Sequence, residues 1–373
     1  MAGSVFGTLF RVTTFGESHG AALGAVVDGC PAGMSLTAED IQKYLDRRKP
    51  GQSRFTTARN EGDEVEILSG VFEGRTLGTP IALLIRNKDQ RSKDYSELKD
   101  IYRPGHADLC FDEKYGFRDY RGGGRSSGRE TAGRVAAGAV ALKLLSELGI
   151  SVRAFARSIG DFTVPEEITD IDEAANNPLG LPDHDCYLRA AEYIDSVKEE
   201  GDSLGGVIEC HAEGLPVGLG EAVFDKLDAE LSKAVMSIGA VKGFEMGDGF
   251  RASCSRGSEN NDPFAMDKGR VIKLSNHSGG TLGGFSDGDC LVFRAAVKPT
   301  PSISKPQKTV TAYGGEREIV ISGRHDPVIV PRAIVVVEAM SALVLADMLL
   351  RNMASRLEGV RDFYSEKKNG KGR

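Results

Sequence analysis

Two stretches of the chain repeat one pattern, GESHGAALGAVVDGCPAG at 16–33 and GDSLGGVIECHAEGLPVG at 201–218. Both begin with glycine, an acidic residue, serine, a variable residue and glycine, and both place a glycine, a proline and a final glycine at the same later offsets. Self-similarity at a fixed spacing is typical of a duplicated unit. We therefore expect two halves, roughly 1–185 and 186–365, related by a pseudo-twofold axis.

The order of predicted elements along the chain is irregular. Helices are predicted from capping signals and helical spacing of apolar residues at 38–48, 128–148, 188–200, 225–236 and 331–357. Strands are predicted at LFRVTTFG, ALGAVVDG, EVEILSGVF, IALLIRN, VRAFARSIG, GGVIECHAEG, CLVFRAAV and REIVISG. Because strands and helices do not alternate, the order disfavours a doubly wound parallel sheet and favours an α+β fold. Residues 1–365 are expected to form one domain, with long loops at 253–269 and 298–308 and a flexible tail at 366–373.

Composition narrows the class of protein. The 373 residues carry a net charge of -7, which argues against a general nucleic-acid or membrane-surface binder. The apolar stretch 333–350 contains Glu338 and Asp347 and is too charged for a membrane span. The first residues lack the basic start and apolar core of a signal peptide. The six cysteines are scattered, which indicates reduced thiols with neither disulfides nor a metal site. A cytoplasmic protein is expected.

The segment DYRGGGRSSGRETAGR, 119–134, predicts an anion site. Ser127 and Glu130 fit a capping box, so a helix is expected to begin at Ser127 with its free N–H groups and positive dipole end next to a glycine-rich loop. Arg125, Arg129 and Arg134 add positive charge that opposes this dipole. A bound anion would resolve that conflict, whereas the alternative is a capped core helix with solvated arginines. The spacing matches neither a Walker A loop nor a dinucleotide-binding fingerprint.

A second cationic cluster and three histidines add to the candidate site. LDRRKPGQSR places Arg48 at a helix end and Arg54 in the following loop, where they could clamp an anion. His19, His106 and His325 lie in turn-like segments beside glycine, arginine and aspartate, a setting that favours acid–base chemistry over a purely structural role. No metal-ligand spacing accompanies them.

Eight segments together resemble the chorismate synthase family in its bacterial, monofunctional form. They are TTFGESHG, LDRRKPGQSR, RPGHAD, DYRGGGRSSGRET, GDSLGG, SNHSGGTLGG, KPTPSI and GRHDP, in the family's order and across nearly the whole chain. The resemblance implies a homotetramer with a β-α-β sandwich, in which helices are enclosed between antiparallel sheets. It also implies 1,4-anti elimination of phosphate and the C6 proton from 5-enolpyruvylshikimate 3-phosphate, the last common step of the shikimate pathway. Reduced FMN is required, without net redox change.

The resemblance also implies roles for individual residues. His19 is expected to act as general acid toward the departing phosphate, His106 to contact the reduced flavin, and Asp326 to assist loss of the C6 proton. The residues implied for flavin binding are Arg125, Ser126, Ser127, Gly239, Ala240, Gly283, Lys298, Pro299, Thr300, Pro301, Ser302 and Arg324. Those implied for substrate binding are Ser18, Arg48, Arg54, Arg129 and Arg134.

Two other classes of protein remain as alternatives. Arg48 and Arg54 could instead meet the 2′-phosphate of NADPH in a flavin- or NADPH-dependent reductase, or the arginines could serve a non-enzymatic anion-binding module. A reductase consumes its reductant stoichiometrically, whereas the eliminase needs flavin reduced only catalytically. NADPH as reductant and an external flavin reductase as partner are both compatible with the eliminase.

Overall fold

The computed structural model describes residues 3–57, 61–88, 98–168, 170–321 and 326–368. Its helices are α1 (Ala38–Arg48), α2 (Asp108–Tyr115), α3 (Thr131–Glu147), α4 (Ile171–Asn176), α5 (His184–Glu199), α6 (Leu227–Met236), α7 (Gly257–Asn260), α8 (Val330–Asn352) and α9 (Leu357–Lys368). Its strands in the first part of the chain are β1 (Val5–Phe6), β2 (Arg11–Gly16), β3 (Ala22–Asp28), β4 (Val65–Ile67), β5 (Val71–Phe72), β6 (Arg75–Thr76), β7 (Ile81–Arg86), β8 (Ser151–Ile159) and β9 (Phe162–Thr163). Those that follow are β10 (Gly206–Glu213), β11 (Val241–Met246), β12 (Phe264–Asp267), β13 (Arg270–Lys273), β14 (Thr281–Leu282), β15 (Phe285–Ser286), β16 (Leu291–Val297), β17 (Gln307–Val310) and β18 (Glu316–Ile319).

Two five-stranded antiparallel sheets enclose the long helices. One sheet has the order β1-β2-β3-β7-β4 and the other β11-β16-β10-β8-β9. Helix α3 packs on the first sheet, α8 packs on the second, and the two helices pack against each other between them. Helices α1 and α6 flank this central pair. The α+β fold with helices enclosed between antiparallel sheets is therefore confirmed.

The order of elements occurs twice along the chain. The series β2-β3-α1-β4-β5-β6-β7-α3, with α2 inserted, is followed by the series β8-β10-α6-β11-β14-β15-β16-α8, and the central strands of the two sheets pair in the same order. The elements inserted in the second series are β9, α4, α5, α7, β12, β13, β17 and β18. Side-chain hydrogen bonds also recur: Thr76 Oγ1 donates to the Pro31 carbonyl over 2.7 Å, and Ser286 Oγ donates to the Pro216 carbonyl over 2.6 Å. We therefore place the boundary between the units after α3. A boundary near 185 would divide α5.

Local signals explain where several elements begin and end. Helix α1 has the predicted bounds because Thr37 and Asp40 cap its start reciprocally. The helix predicted at 331–357 ends earlier, as α8 at Asn352, and a separate helix, α9, begins at Leu357. The loop predicted at 253–269 contains α7 and the first strand of the hairpin β12–β13. Lys268 and Gly269 form the turn of this hairpin with φ of +47° and +80°, a conformation that suits a tight β-turn.

Helix α8 is the longest helix among the described residues, and most of it is buried. By length and composition it could cross a membrane, but 83% of its most apolar window is buried within the protein, as in the core helix of a soluble fold. Its two acidic residues are both partnered. Glu338 binds Arg47 over 2.6 Å, and Asp347 accepts hydrogen bonds from the backbone N–H groups of residues 8–10.

Candidate active site

The turn between β2 and β3 buries His19 against a glycine. His19 is only 7% exposed, and Ser18 Oγ lies 3.1 Å from its Nδ1. A Cβ atom on Gly122 would lie 2.6 Å from His19 Cε1, and Gly122 has a φ of +91°. Glycine is required there both by the backbone conformation and by the close approach of the imidazole. Two of the predicted segments, GESHG and RGGG, thus meet at His19.

His106 lies in the loop between β7 and α2. Its Nδ1 is 3.0 Å from the Pro104 carbonyl and its Nε2 is 3.2 Å from Ser302 Oγ. A carbonyl oxygen can only accept, so Nδ1 carries a proton and Nε2 of the neutral ring accepts from Ser302. Burial and the neighbouring Arg103 guanidinium lower the pKa of His106 below its ordinary value. The neutral form is therefore favoured near pH 7.

Arg103 connects the two histidines. It forms a buried bidentate pair with Asp108 at 2.8 Å and also donates to the Gly122 carbonyl over 3.3 Å. Gly122 contacts His19, while Arg103 is close enough to His106 to influence its pKa. The segments that carry His19 and His106 therefore share one buried ion pair as their support.

The segment 298–302 meets the His106 loop. The Lys298 backbone N–H donates to the Ala240 carbonyl over 2.9 Å, and Lys298 Nζ donates to the Gly105 carbonyl over 3.1 Å. Ser203, from the second copy of the repeated motif, donates to the Thr300 carbonyl over 2.7 Å. Within the described part of the chain, the buried Thr300 Oγ1 has no hydrogen-bond partner. Since buried hydroxyls are usually satisfied, this one fits a polar ligand such as the implied flavin.

Asp326 is held by the loop that follows α1 and by an arginine of α8. Its carboxylate accepts from the Thr57 backbone N–H over 2.7 Å and pairs with Arg332 over 2.6 Å. Arg332 in turn donates to the Arg48 carbonyl over 2.9 Å. Asp326 is thereby joined to the loop that follows α1. The neighbouring Arg324, predicted to bind flavin, and His325 lie outside the described residues.

Two predicted anion-binding arginines share one buried carboxylate. Arg48 is 2% exposed, pairs with Asp63 over 2.9 Å and donates to the Gly128 carbonyl, so its guanidinium has no surface for a ligand in this conformation. Arg129 also pairs with Asp63 and donates to Asn87 over 2.8 Å. Among the described residues, the buried Arg129 Nη2 has no hydrogen-bond partner. That nitrogen lies 3.6 Å from Glu61 Oε2, so an anionic ligand at Arg129 would compete with the carboxylates of Glu61 and Asp63.

The other predicted arginines differ in their surroundings. Arg54 is exposed on the protein surface and pairs with Asp195 of α5 over 3.1 Å. Arg134 pairs with Glu130 and donates to Ser237 Oγ over 2.6 Å, close to Gly239. Arg125 donates to Thr14 Oγ1 over 2.7 Å at the edge of the first sheet. Groups of the protein already partner the arginines around the start of α3, so their charge does not by itself require a bound anion.

The remaining predicted flavin residues fall into two groups. Ser126 and Ser127 lie in the loop before α3. Ser127 accepts a hydrogen bond from the Arg129 backbone N–H and caps a short 3₁₀ turn. Glu130 pairs with Arg134, so the predicted capping box with Ser127 does not form. Gly239 and Ala240 follow the C-terminal end of α6 and adjoin Lys298. Gly283 lies near the opposite end of that helix, since its neighbour Gly284 contacts Lys226. Within this chain, Gly283 is therefore separate from the other flavin candidates.

A cavity of about 230 Å³ adjoins the His19 turn. Glu17, the backbone of 122–126 and the aromatic side chains of Phe111, Tyr115 and Phe117 line it. The glycine-rich segment therefore faces the cavity on one side and His19 on the other.

Sequence reasoning missed three residues that organise this region: Asp63, Asn87 and Arg103. Asp63 lies outside every quoted segment, Asn87 is the last residue of the predicted strand IALLIRN, and only tertiary contacts bring them to Arg129. Arg103 is the first residue of the quoted segment RPGHAD but was given no role there, and its position beside a candidate histidine was the available signal.

Comparison with known proteins agrees with this arrangement. The chorismate synthase family model matches residues 10–350. Chorismate synthase from Agathobacter rectalis is 62% identical and that from Lachnospira eligens 61% identical; both alignments cover 98% of this chain and 100% of the relative. A crystal structure of chorismate synthase superposes with a TM-score of 0.77 at 36% identity, covering 98% of this chain and 99% of the other. By sequence along its whole length and by its three-dimensional structure, the chain belongs to the chorismate synthase family.

Proposed function

We propose that this chain eliminates phosphate and the C6 proton, 1,4 and anti, from 5-enolpyruvylshikimate 3-phosphate to give chorismate. The supporting observation is that the buried His19, the half-buried His106, the 298–302 segment and Arg129 belong to one connected set of contacts. A substrate with one phosphate and two carboxylates needs guanidinium groups, and the departing phosphate needs a proton donor.

The proposed acid is His19. Ser18 Oγ is hydrogen-bonded to the Nδ1 atom of His19, and the ring has no room to move toward the glycine-rich loop because it already contacts Gly122. A proton delivered to the phosphate as the C3–O bond breaks makes it a better leaving group. Ser18 contacts the phosphate, while Arg54, Arg129 and Arg134 contribute positive charge. Arg48, predicted as a ligand for substrate, acts through Asp63 and the start of α3.

The proposed cofactor is reduced FMN, held by residues 125–127, 239–240 and 298–302, with Gly283 and Arg324 as further candidates. Bound reduced flavin supplies electron density to the substrate without net oxidation. His106 offers a hydrogen-bonding imidazole beside Ser302. The Nε2 atom of His106 donates only when the ring is protonated or changes tautomer. Asp326, oriented by Arg332 and Thr57, assists removal of the C6 proton.

Anaerobic turnover with dithionite-reduced FMN tests the reaction. Phosphate release should continue for many turnovers per flavin reduced, whereas stoichiometric consumption of reductant would indicate a reductase. His19→Ala should lower kcat by roughly 10²–10⁴-fold without loss of fold. Unchanged turnover in that variant would remove His19 from the mechanism.

We also propose that the chain is a cytoplasmic homotetramer whose flavin is reduced by NADPH or by an external flavin reductase. Exposed apolar side chains on the hairpin β12–β13, among them Phe264, Met266 and Val271, support association with further copies. Titrating NADPH against the flavin-loaded protein, with and without an added reductase, would distinguish the two sources of electrons.

A further inference from the structure

We propose that Asn87 is a positioning residue for the elimination, because it holds the turn that carries His19 and the side chain of Arg129 in one arrangement. The inference rests on the role proposed above for His19. Asn87 directly follows β7 and belongs to none of the motifs by which the family was identified.

The amide of Asn87 uses both of its ends. Its Nδ2 donates to the carbonyls of Glu17, over 3.1 Å, and Gly20, over 2.8 Å, which flank Ser18 and His19. Its Oδ1 accepts from Arg129 Nε over 2.8 Å. The orientation of the amide is determined because carbonyl oxygens only accept and a guanidinium only donates.

These three hydrogen bonds, the Asn87 clamp, matter because the His19 side chain has little room to move. The ring lies against Gly122, at a distance where even a methyl group would not fit between them. Both carbonyls that Asn87 binds are within two residues of His19, so a change in their position moves the imidazole. A displacement of about 1 Å at a reacting group can cost roughly 10²-fold in rate.

The internal duplication shows that the fold itself does not need asparagine at this place. Ala25 pairs with Leu83 in the first sheet, and its counterpart Cys210 pairs with Phe293 in the second. Asn87 lies four residues after Leu83, and Val297 lies four residues after Phe293, so Val297 occupies the position equivalent to Asn87. Val297 pairs with Gly206 in the way that the Asn87 backbone N–H binds the Ala21 carbonyl.

The two copies therefore differ both at one position in the turn and at one position of the strand end that contacts it. The first unit has His19 and Asn87, whereas the second has Leu204 and Val297. A strand end that needs only packing is satisfied by valine. The asparagine accompanies the unit that carries the buried histidine, as a positioning role requires.

Steady-state kinetics of Asn87→Val and Asn87→Asp test the inference. Valine removes both ends of the clamp and is the residue that the second unit tolerates. Aspartate keeps an acceptor for Arg129 but cannot donate to the two carbonyls. Both variants should lose roughly 10²-fold in kcat. In Asn87→Val, KM for the phosphorylated substrate should change little, because Asp63 still holds Arg129.

Asn177→Asp is the matched control. Asn177 also donates to two carbonyls, those of Glu173 and Leu181, but it lies in the segment between α4 and α5, outside the candidate site. Its substitution should lower the thermal midpoint and leave kcat of the folded enzyme unchanged. Wild-type kcat in either Asn87 variant would overturn the inference, as would losses that follow the fraction of unfolded protein. Failure of the unmodified enzyme to release phosphate would instead contradict the proposed function.

Discussion

Gly122 shows how one residue without a side chain can control the site. Its φ of +91° and its contact with His19 are both incompatible with a Cβ atom. We expect Gly122→Ala to lower kcat by roughly 10²-fold, because the imidazole must move. Phosphate release under anaerobic conditions measures the effect.

Gly116 provides the control for that substitution. It also has a positive φ, +70°, at the end of α2, but a Cβ atom there would meet nothing within 4 Å. Gly116→Ala should therefore cost about 1 kcal/mol of stability while kcat stays close to that of the wild type. Equal losses of kcat in the two variants would show that backbone strain, and not the contact with His19, is responsible.

The half-buried His106 makes stability depend on pH. Burial and Arg103 lower its pKa in the folded protein, so below about pH 6.5 the unfolded chain binds a proton that the folded chain does not. The stabilisation that comes from neutral His106 is present above that pH and is lost as the pH falls.

We therefore expect the wild type to lose more unfolding free energy between pH 7.5 and pH 5.5 than His106→Asn does. Urea unfolding at both values measures the difference. All other titrating groups are common to the two proteins and cancel in the comparison. An identical pH dependence would contradict the assignment of a lowered pKa to His106.

At the scale of an element, α8 organises the molecule through two buried carboxylates. Asp347 accepts from the backbone N–H groups of Thr8, Leu9 and Phe10 at 2.6–3.0 Å and thereby fastens the N-terminal segment to the central helix. Asp347→Ala leaves these donors without their acceptor. We expect a loss of roughly 3 kcal/mol, measured by chemical denaturation, and faster proteolysis near the N-terminus.

Arg351→Ala on the same helix is the control for Asp347. Arg351 pairs with Asp225 over 2.9 Å at the protein surface. Solvent-exposed pairs contribute little, so this variant should lose less than about 1 kcal/mol. If both variants lost the same free energy of unfolding, the three hydrogen bonds of Asp347 would contribute no more than a surface ion pair.

At the scale of the whole molecule, the two units bring their equivalent loops together. The loop after β7 carries His106 and the loop after β16 carries Ser302, and the two meet at 3.2 Å. If His19 is the acid proposed above, a site built where equivalent loops meet needs only one copy of it, and the second unit has Leu204 in the equivalent place. Neither half of the chain contains all the proposed groups.

The exposed face of the hairpin β12–β13 is the expected contact between subunits. Met266 is 68% exposed and directly opposite Val271. Met266→Lys should destabilise association by burying a charge, and light scattering should then show a mass below that of the tetramer. Tyr313→Ser, at the exposed tip of another hairpin, should leave the mass unchanged. A tetramer that persists in Met266→Lys would exclude this face as an essential contact.

The sequence by itself determined the elements whose signals are local. Helix α1 has its predicted bounds because its cap and its terminal arginines are adjacent in the chain, and β3 and β10 follow from runs of apolar residues after matching turns. The family and its reaction followed from motifs that stand in order along the chain. The hairpin at 264–273 was missed because its strands are short and exposed.

Only the tertiary structure decided how charge is distributed in the site. Arg48 and Arg129 look alike in sequence and both pair with Asp63, yet Arg48 is buried, whereas Arg129 Nη2 lies 3.6 Å from Glu61 and makes no hydrogen bond among the described residues. Asn87 and Arg103 gain their roles from carbonyls and guanidinium groups that are distant in sequence. Hydrogen bonds and ion pairs depend on positions within a few ångströms, and folding sets those positions through contacts that no local pattern contains.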